Sequence, residues 1–232
     1  MAYTLYIANK NYSSWSLRPW VLMRERGIGF TEHLLNFGHA PAWDDYRQIS
    51  PAGLVPCLTE GSLRVWDSLA IAEYLHERHP GVWPQDPQAR AFARCAAAEM
   101  HSGFQNLRGQ CSMSCGVRVR LNQSTPGLAA DIARLSALWS EGLRRFGGPC
   151  LAGPDFTAVD AFFAPVAFRV QTYGLDLPAE ARTYVQHLLG LPSMREWYAA
   201  ALAERFREAQ HDAWVSEHGT VVQDPRAAPQ GA

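Results

Sequence analysis

The feature that most constrains the fold of this chain is a change of pattern near residue 80. Before it, short runs rich in β-branched and aromatic residues alternate with amphipathic helical segments, which predicts the order β-α-β-α-β-β-α. After the proline-rich stretch HPGVWPQDPQ (79–88), the strand pattern stops and helical segments follow one another. The sequence therefore predicts a small α/β sheet domain followed by an all-helical (all-α) domain.

The same change of pattern suggests where the domains begin and end. We expect a sheet-containing domain over 1–80, a linker over 81–88, a helical domain over 89–215 and a loose tail over 216–232. Long helices are predicted over 89–107, 128–146, 158–173, 179–189 and 194–207.

Composition excludes several classes of function. The 232 residues carry a formal net charge of −1, so no strong overall field would attract nucleic acid or an anionic membrane. No apolar run approaches the ~20 residues that span a bilayer, and the N-terminus has no signal-peptide pattern. The five cysteines include no CxxC pair. We expect a cytoplasmic protein with reduced thiols, no metal, and a small molecule or protein as partner.

The stretch NYSSWSLRPW places three serines where a strand pattern gives way to a helix pattern. A serine at this position caps the helix by accepting hydrogen bonds from free backbone N–H groups, and Ser16 is the expected cap. The same helix start also favours a bound anion, and a thiolate held there would be a usable nucleophile at neutral pH. Ser13 and Ser14 are the candidates to contact such a thiolate.

Two further motifs suit the binding of a short peptide. GLVPCL places Pro56 at a strand entry, where a cis Val55–Pro56 bond would leave the Val55 backbone free to pair with an extended chain; the alternative is an edge-strand proline with no role. In VWDSLAIAEYL, Asp67 and Ser68 start a helix and could hold an ammonium and a carboxylate group; the alternative is that Ser68 only caps the helix. Glutathione has a thiol, a peptide backbone and a zwitterionic end.

These motifs also resemble a known family. SSWSLRPW is similar to the serine motif of zeta-like glutathione transferases, LVPCL to the family's cis-proline strand, and DSLAIAEYL to its helix start. FTAVDAFFAP is similar to the capping box of the family's helical domain, with Thr157 as the cap and Asp160 reaching back. Over residues 3–210 the chain thus resembles the cytosolic glutathione S-transferases, of the serine type (zeta-like or theta-like) found in bacteria.

The resemblance implies a thioredoxin-like N-terminal domain and a homodimer that uses glutathione as co-substrate for detoxification of a small hydrophobic electrophile. By position, Ser13 would hold the thiolate, with Ser14 the close second. Other contacts with glutathione are expected from Val55, Pro56, Asp67, Ser68, His39 and Gln48. The co-substrate pocket is expected to include Trp15, His101, Phe104 and Arg108.

The chain departs from the zeta pattern at Trp15, where that pattern has cysteine, and this weakens the case for zeta-type isomerase chemistry. The serine at position 13 also argues against thiol exchange, which needs a sulfur there. The alternatives left open are a glutathione-dependent isomerase or dehalogenase, and a non-catalytic module that binds glutathione or a partner.

Overall fold

The first seven elements form a four-stranded mixed sheet with three helices. In this computed structural model the described residues are 2–37 and 42–228, without the side chains of residues 42–45. The strands run in the order β2-β1-β3-β4, with β1 parallel to β2 and antiparallel to β3. Their bounds are Tyr3–Ala8, Phe30–Leu35, Cys57–Glu60 and Leu63–Val65 for β1 to β4, and Ser14–Glu25, Ala42–Ile49 and Ser68–His76 for α1 to α3. This arrangement confirms the predicted element order.

Strand β1 shows why the sheet forms where it does. Its alternate residues Tyr3, Leu5 and Ile7 are all buried on one face, as a half-buried strand requires. Because β1 and β2 are parallel, the chain must cross over between them, and α1 makes that crossover. The crossover brings the start of α1 to the end of β1, which is where the serines lie.

The remainder of the described chain is mostly helical. The helices α4 to α10 cover Pro87–Ser102, Gln105–Gln110, Pro126–Phe146, Ala158–Tyr173, Ala179–Gly190, Pro192–Ala203 and Ala209–His218, and two short strands, β5 and β6, cover Arg118–Leu121 and Gly219–Gln223. Helix α7 is the central one, since 14 of its 16 residues are buried and it packs against α1, α4 and α8. An edge-to-face contact of 5.1 Å between Trp20 and Trp197 also joins α1 to α9.

The sequence predicts one helix over 89–107, and this prediction is wrong. Helix α4 ends at Ser102, and Phe104 takes the left-handed conformation with φ 57° before α5 begins at Gln105. Arg108 stabilises this break because its side chain donates hydrogen bonds to the carbonyls of Gly103, at 2.9 Å, and Met100. The break turns the chain, so that Arg108 lies beside the start of α1 rather than further along α4.

The expected loose tail is also wrong for residues 219–228. Strand β6 pairs with β5 in an antiparallel ribbon that the sequence pattern did not reveal. Beyond it, the Arg226 guanidinium forms ion pairs with Asp212 at 3.0 Å and Asp224 at 2.7 Å. The end of the described chain is therefore attached to the helical part.

The segment 81–88, predicted as a linker, makes tertiary contacts. Val82 and Trp83 are buried, and the carbonyl of Val82 accepts a hydrogen bond of 2.8 Å from the N–H of Ala158 at the start of α7. The division of the chain into domains at this segment remains a prediction.

Candidate functional site

A cleft of about 780 Å³ lies beside the start of α1. It contains five of the residues singled out from the sequence, namely Ser13, Ser14, Trp15, Val55 and Arg108. The other lining residues come from α2 and loops of the sheet domain, from α5 and the loop after it, and from α7 and α10; they are Tyr12, Phe37, Tyr46, Gly53, Leu54, Gln105, Gly109, Ser112, Met113, Arg169, His211 and Trp214. Most of this wall is apolar or aromatic, which is typical of a small-molecule site.

The expectation that Ser16 caps α1 is wrong, because the cap is Ser13. The Ser13 Oγ donates a hydrogen bond to the Ser16 Oγ at 2.7 Å and accepts one from the Ser16 N–H at 3.4 Å. The Ser16 hydroxyl is fully buried and accepts the N–H of Ala8 at 3.1 Å, which ties the end of β1 to the helix. Both hydroxyl groups thus have structural partners.

Ser14 is different, because its hydroxyl has no hydrogen-bond partner among the described residues and its side chain lines the cleft. It is the first residue of α1, and the backbone N–H of the next residue, Trp15, also lacks an acceptor in the described chain. A hydroxyl and an N–H at a helix N-terminus are suitable donors for an anion in the cleft.

Tyr12 also lines the cleft, but its hydroxyl is not free. The Tyr12 Oη donates to Asp212 Oδ1 at 3.1 Å and accepts from Arg226 Nη1 at 3.0 Å. Burial, together with the nearby Asp212 carboxylate, raises the pKa of Tyr12 to about 12. This phenol therefore fixes the wall of the cleft rather than offering a proton within it.

The Val55–Pro56 peptide bond is cis, as the sequence predicts for this strand entry. Val55 lines the cleft, and Pro56 is buried behind it. Because β3 begins only at Cys57, the N–H and C=O groups of Val55 make no backbone hydrogen bond within the described chain. An extended peptide could pair with them.

Asp67 and Ser68 begin α3, and here the expected cap is again wrong, because Asp67 is the N-cap and accepts the N–H of Leu69 at 2.8 Å. Its other carboxylate oxygen lies 3.2 Å from His101 Nε2. The buried Ser68 hydroxyl accepts a bond of 3.4 Å from Arg18 Nη1. Neither residue lines the cleft, although the backbone N–H of Ser68 has no acceptor among the described residues.

Trp15 contacts this polar group and also lines the cleft. Two guanidinium groups lie over its ring, with Arg18 at 4.2 Å and Arg108 at 5.1 Å from the ring centroid, and His101 meets it edge-on at 5.2 Å. Burial is the main reason that the pKa values of Arg18 and His101 lie below their usual ranges. Where the zeta pattern has cysteine, this chain therefore has a large indole ring that contacts cations.

Two guanidinium groups face the cleft without a carboxylate partner in the described part of the chain. Arg169 is nearly fully buried on α7; its Nε donates to the carbonyl of Cys111 at 2.8 Å, and its Nη1 has no partner. Burial and the neighbouring Arg108 lower the pKa of Arg169 to about 10, and burial also lowers the pKa of Arg108. These uncompensated cations make the cleft favourable for an anion.

The remaining predicted site residues lie elsewhere. Phe104 is buried at the break between α4 and α5, and His101 contacts Asp67 instead of the cleft. Gln48 is exposed on α2 and does not line the cleft, and His39 lies outside the described residues.

Sequence reasoning missed Arg169, His211 and Trp214. A charged residue within the apolar run AFFAPVAFRV was a usable signal for Arg169. Helix α10, which carries His211 and Trp214, was not predicted, and its weak amphipathicity gave no such signal.

Among the described residues, no three His, Cys, Asp or Glu side chains are grouped so that they could hold a metal ion. Nor does any helix in the described ranges have the length and apolar character to span a membrane.

Comparisons with known proteins support the resemblance seen in the sequence. Residues 12–78 match the family model described as "Glutathione S-transferase, N-terminal domain". The chain is 28% identical over 182 residues to a probable maleylacetoacetate isomerase from Caenorhabditis elegans, covering 75% of this chain and 81% of that protein. It is 25% identical over 203 residues to a stringent starvation protein A homolog from Coxiella burnetii, covering 87% and 91% respectively.

A solved structure shows the same fold. A glutathione transferase homolog from Burkholderia, crystallised with bound glutathione, superposes with a TM-score of 0.66 and 22% identity, covering 87% of this chain and 98% of that one. The fold thus consists of a thioredoxin-like sheet domain followed by a helical domain. Residues 12–78 match the N-terminal domain of glutathione S-transferases, and the described chain has the fold of these proteins.

Proposed function

We propose that this protein is a glutathione transferase that binds glutathione in the cleft and activates its sulfur as a thiolate at the start of α1. The observation that carries the proposal is the unpaired hydroxyl of Ser14, which lines the cleft beside the free N–H of Trp15. The glutathione bound to the Burkholderia relative makes the same ligand the natural candidate here.

Ser14 is a better candidate than Ser13 for the thiolate contact. A thiolate needs a donor, and the Ser13 hydroxyl already donates to Ser16. Lowering a thiol pKa by two units corresponds to about 2.7 kcal/mol of preference for the anion, which is within the reach of one or two charge-assisted hydrogen bonds. The uncompensated Arg108 and Arg169 favour the same anion.

The rest of the tripeptide would extend away from Ser14. The unpaired backbone of Val55 suits the cysteinyl segment, and the free N–H of Ser68 at the start of α3 suits the carboxylate of the γ-glutamyl end. The thiolate would then attack an electrophilic carbon of an apolar co-substrate held against the aromatic wall of the cleft. A homodimer and a cytoplasmic location remain predictions from the sequence.

Two serine variants test the assignment. Ser14→Ala should raise the pKa of bound glutathione towards its value in water and reduce kcat by roughly 10- to 100-fold, with little change in glutathione affinity. The thiol pKa is measured from thiolate absorbance as a function of pH, and affinity by calorimetry. Ser13→Ala is the matched control, and it should lower stability but leave the thiol pKa unchanged. If Ser13→Ala raised the thiol pKa and Ser14→Ala did not, Ser13 would be the residue that contacts the thiolate.

A second candidate is a glutathione-dependent isomerase on the same scaffold, because one relative at 28% identity is a probable maleylacetoacetate isomerase. Such an enzyme would convert a cis-enone into its trans isomer and release glutathione unchanged. Product analysis with a cis-enone separates the two reactions. A protein retained on glutathione resin that turns over no electrophile would instead be a binding module.

A further inference from the structure

The cleft is lined by a histidine, His211, that is paired with a carboxylate and that thiolate formation does not use. Glu208 Oε2 lies 2.7 Å from His211 Nδ1 and also accepts the backbone N–H of His211 at 2.7 Å. Burial acts to raise the pKa of Glu208, but the hydrogen bonds from His211 outweigh it and hold that pKa below its usual value. Glu208 is therefore an anion that fixes the imidazole ring.

Aromatic rings fix the orientation of His211. Phe37 stacks on the imidazole at 5.1 Å, Tyr12 lies on it at 5.1 Å, and Trp214 meets it edge-on at 4.9 Å. Because Glu208 occupies Nδ1, the group left for a ligand is Nε2, which has no hydrogen-bond partner among the described residues. His211 lines the cleft together with Ser14.

The other polar groups of the cleft are poor proton donors. The hydroxyl of Tyr12 is paired with Asp212 and Arg226, and that of Tyr46 bonds to the carbonyls of Leu35 and Asn36. Burial raises the pKa of Tyr46 to about 12. The guanidinium groups of Arg108 and Arg169 can donate hydrogen bonds but do not give up a proton readily. Among the described lining residues, His211 alone has a side chain that ordinarily exchanges a proton near neutral pH.

We propose that His211 is the general acid of the cleft and that it donates its proton when the glutathione sulfur adds to an α,β-unsaturated carbonyl compound. This inference rests on the proposed function. The glutathione sulfur forms a bond to the β-carbon, the C=C π pair moves towards the carbonyl, and the oxygen becomes an enolate. His211 Nε2–H hydrogen-bonds that oxygen and transfers its proton to it, and water returns a proton to Nε2 afterwards. Glu208 is the positioning residue.

Proton donation by His211 predicts a difference between two reactions of the same thiolate. Addition to an enone must end with a proton on the product, whereas aromatic substitution on chlorodinitrobenzene expels chloride and needs no proton donor. Both reactions use the same thiolate and the same cleft. Removal of His211 should therefore slow enone addition far more than aromatic substitution.

The experiment compares kcat/KM for benzylideneacetone and chlorodinitrobenzene in wild type and His211→Phe, which keeps an aromatic ring against Phe37. We expect kcat/KM for the enone to fall by about 100-fold relative to kcat/KM for the aromatic substitution. His33→Phe is the control, since that histidine contacts the ring of Tyr6 at 5.0 Å and does not line the cleft. It should change neither reaction.

Glu208→Gln distinguishes the positioning of a proton donor from a packing role. It removes the carboxylate that holds His211 Nδ1, and it should lower kcat/KM for the enone more than kcat/KM for chlorodinitrobenzene. Equal losses for both electrophiles in His211→Phe, or an unchanged enone rate, would overturn the role of His211 without contradicting the proposed function of the wild-type protein. A wild-type protein inactive with both electrophiles would overturn the proposed function and this inference with it.

Discussion

Ser13, Ser14 and Ser16 lie within one helical turn, yet their hydroxyl groups have three different surroundings. Ser13 caps the helix, Ser16 joins the helix to β1, and Ser14 faces the cleft without a partner. Residue type is the same at all three positions, so the difference comes from the direction in which each Cα–Cβ bond points. At this scale, structural and chemical roles can be separated by single substitutions.

Ser16→Ala should lower the free energy of unfolding by roughly 1–3 kcal/mol, because it leaves the buried N–H of Ala8 without an acceptor. Ser14→Ala removes a hydroxyl that has no partner in the described chain and should change stability by less than about 0.5 kcal/mol. Urea denaturation followed by tryptophan fluorescence measures both. A large loss in Ser14→Ala and none in Ser16→Ala would contradict the hydrogen bonds described here.

At the scale of elements, the start of α7 is fixed by one buried carboxylate. As the sequence predicts, Asp160 reaches back to the N–H of Thr157, at 2.9 Å. It also accepts the N–H of Leu151 and the hydroxyl of Tyr184, both at 2.9 Å. The same residue therefore caps α7, holds the preceding loop and anchors α8, and α7 in turn carries Arg169 to the cleft.

Asp160→Ala should destabilise the protein by on the order of 3 kcal/mol, because buried donors of Leu151, Thr157 and Tyr184 lose their acceptor. Thr125→Ala provides the matched comparison: Thr125 caps α6 and accepts only the N–H of Leu128, so its loss should cost about 1 kcal/mol. Chemical denaturation gives both values. Equal effects of the two substitutions would show that Asp160 is an ordinary helix cap.

At the scale of the whole molecule, the C-terminal segment links distant parts of the chain. Strand β6 pairs with β5, and Arg226 then bonds to Asp212 on α10 and to the hydroxyl of Tyr12 before α1. This places α10, with His211, against the start of α1. One wall of the cleft thus depends on residues more than two hundred positions away from the other in the sequence.

Arg226→Gln should lower stability by roughly 1–2 kcal/mol at pH 7, towards the low end because Asp212 and Asp224 are partly exposed. The hydrogen bond from Arg226 holds the pKa of Asp224 below its usual value. The stabilisation is therefore present above the unfolded value of about 3.9 and is lost as the pH falls through the lower folded value.

The difference in unfolding midpoint between wild type and Arg226→Gln should accordingly narrow as the pH is lowered below about 4. Thermal unfolding across a pH series measures it. A difference that stays constant or grows in acid would show that Arg226 acts by packing rather than through its charge.

The sequence by itself determined the order of strands and helices in the sheet domain, the helical character of the second half, the cis bond before Pro56 and the capping box at Thr157 and Asp160. Each of these is a local property, since periodicity, proline geometry and capping depend on residues within a few positions of one another. Local patterns also identified the serines, Trp15 and Arg108 as candidate site residues.

Only the tertiary structure decided which hydroxyl is free, that the chain breaks at Phe104, and that Arg169 and His211 join Ser14 in one cleft. These facts depend on how α7, α10 and the β5–β6 ribbon pack against the start of α1. Packing joins residues that are far apart in the chain through shape and burial, and no short pattern in the sequence encodes that contact.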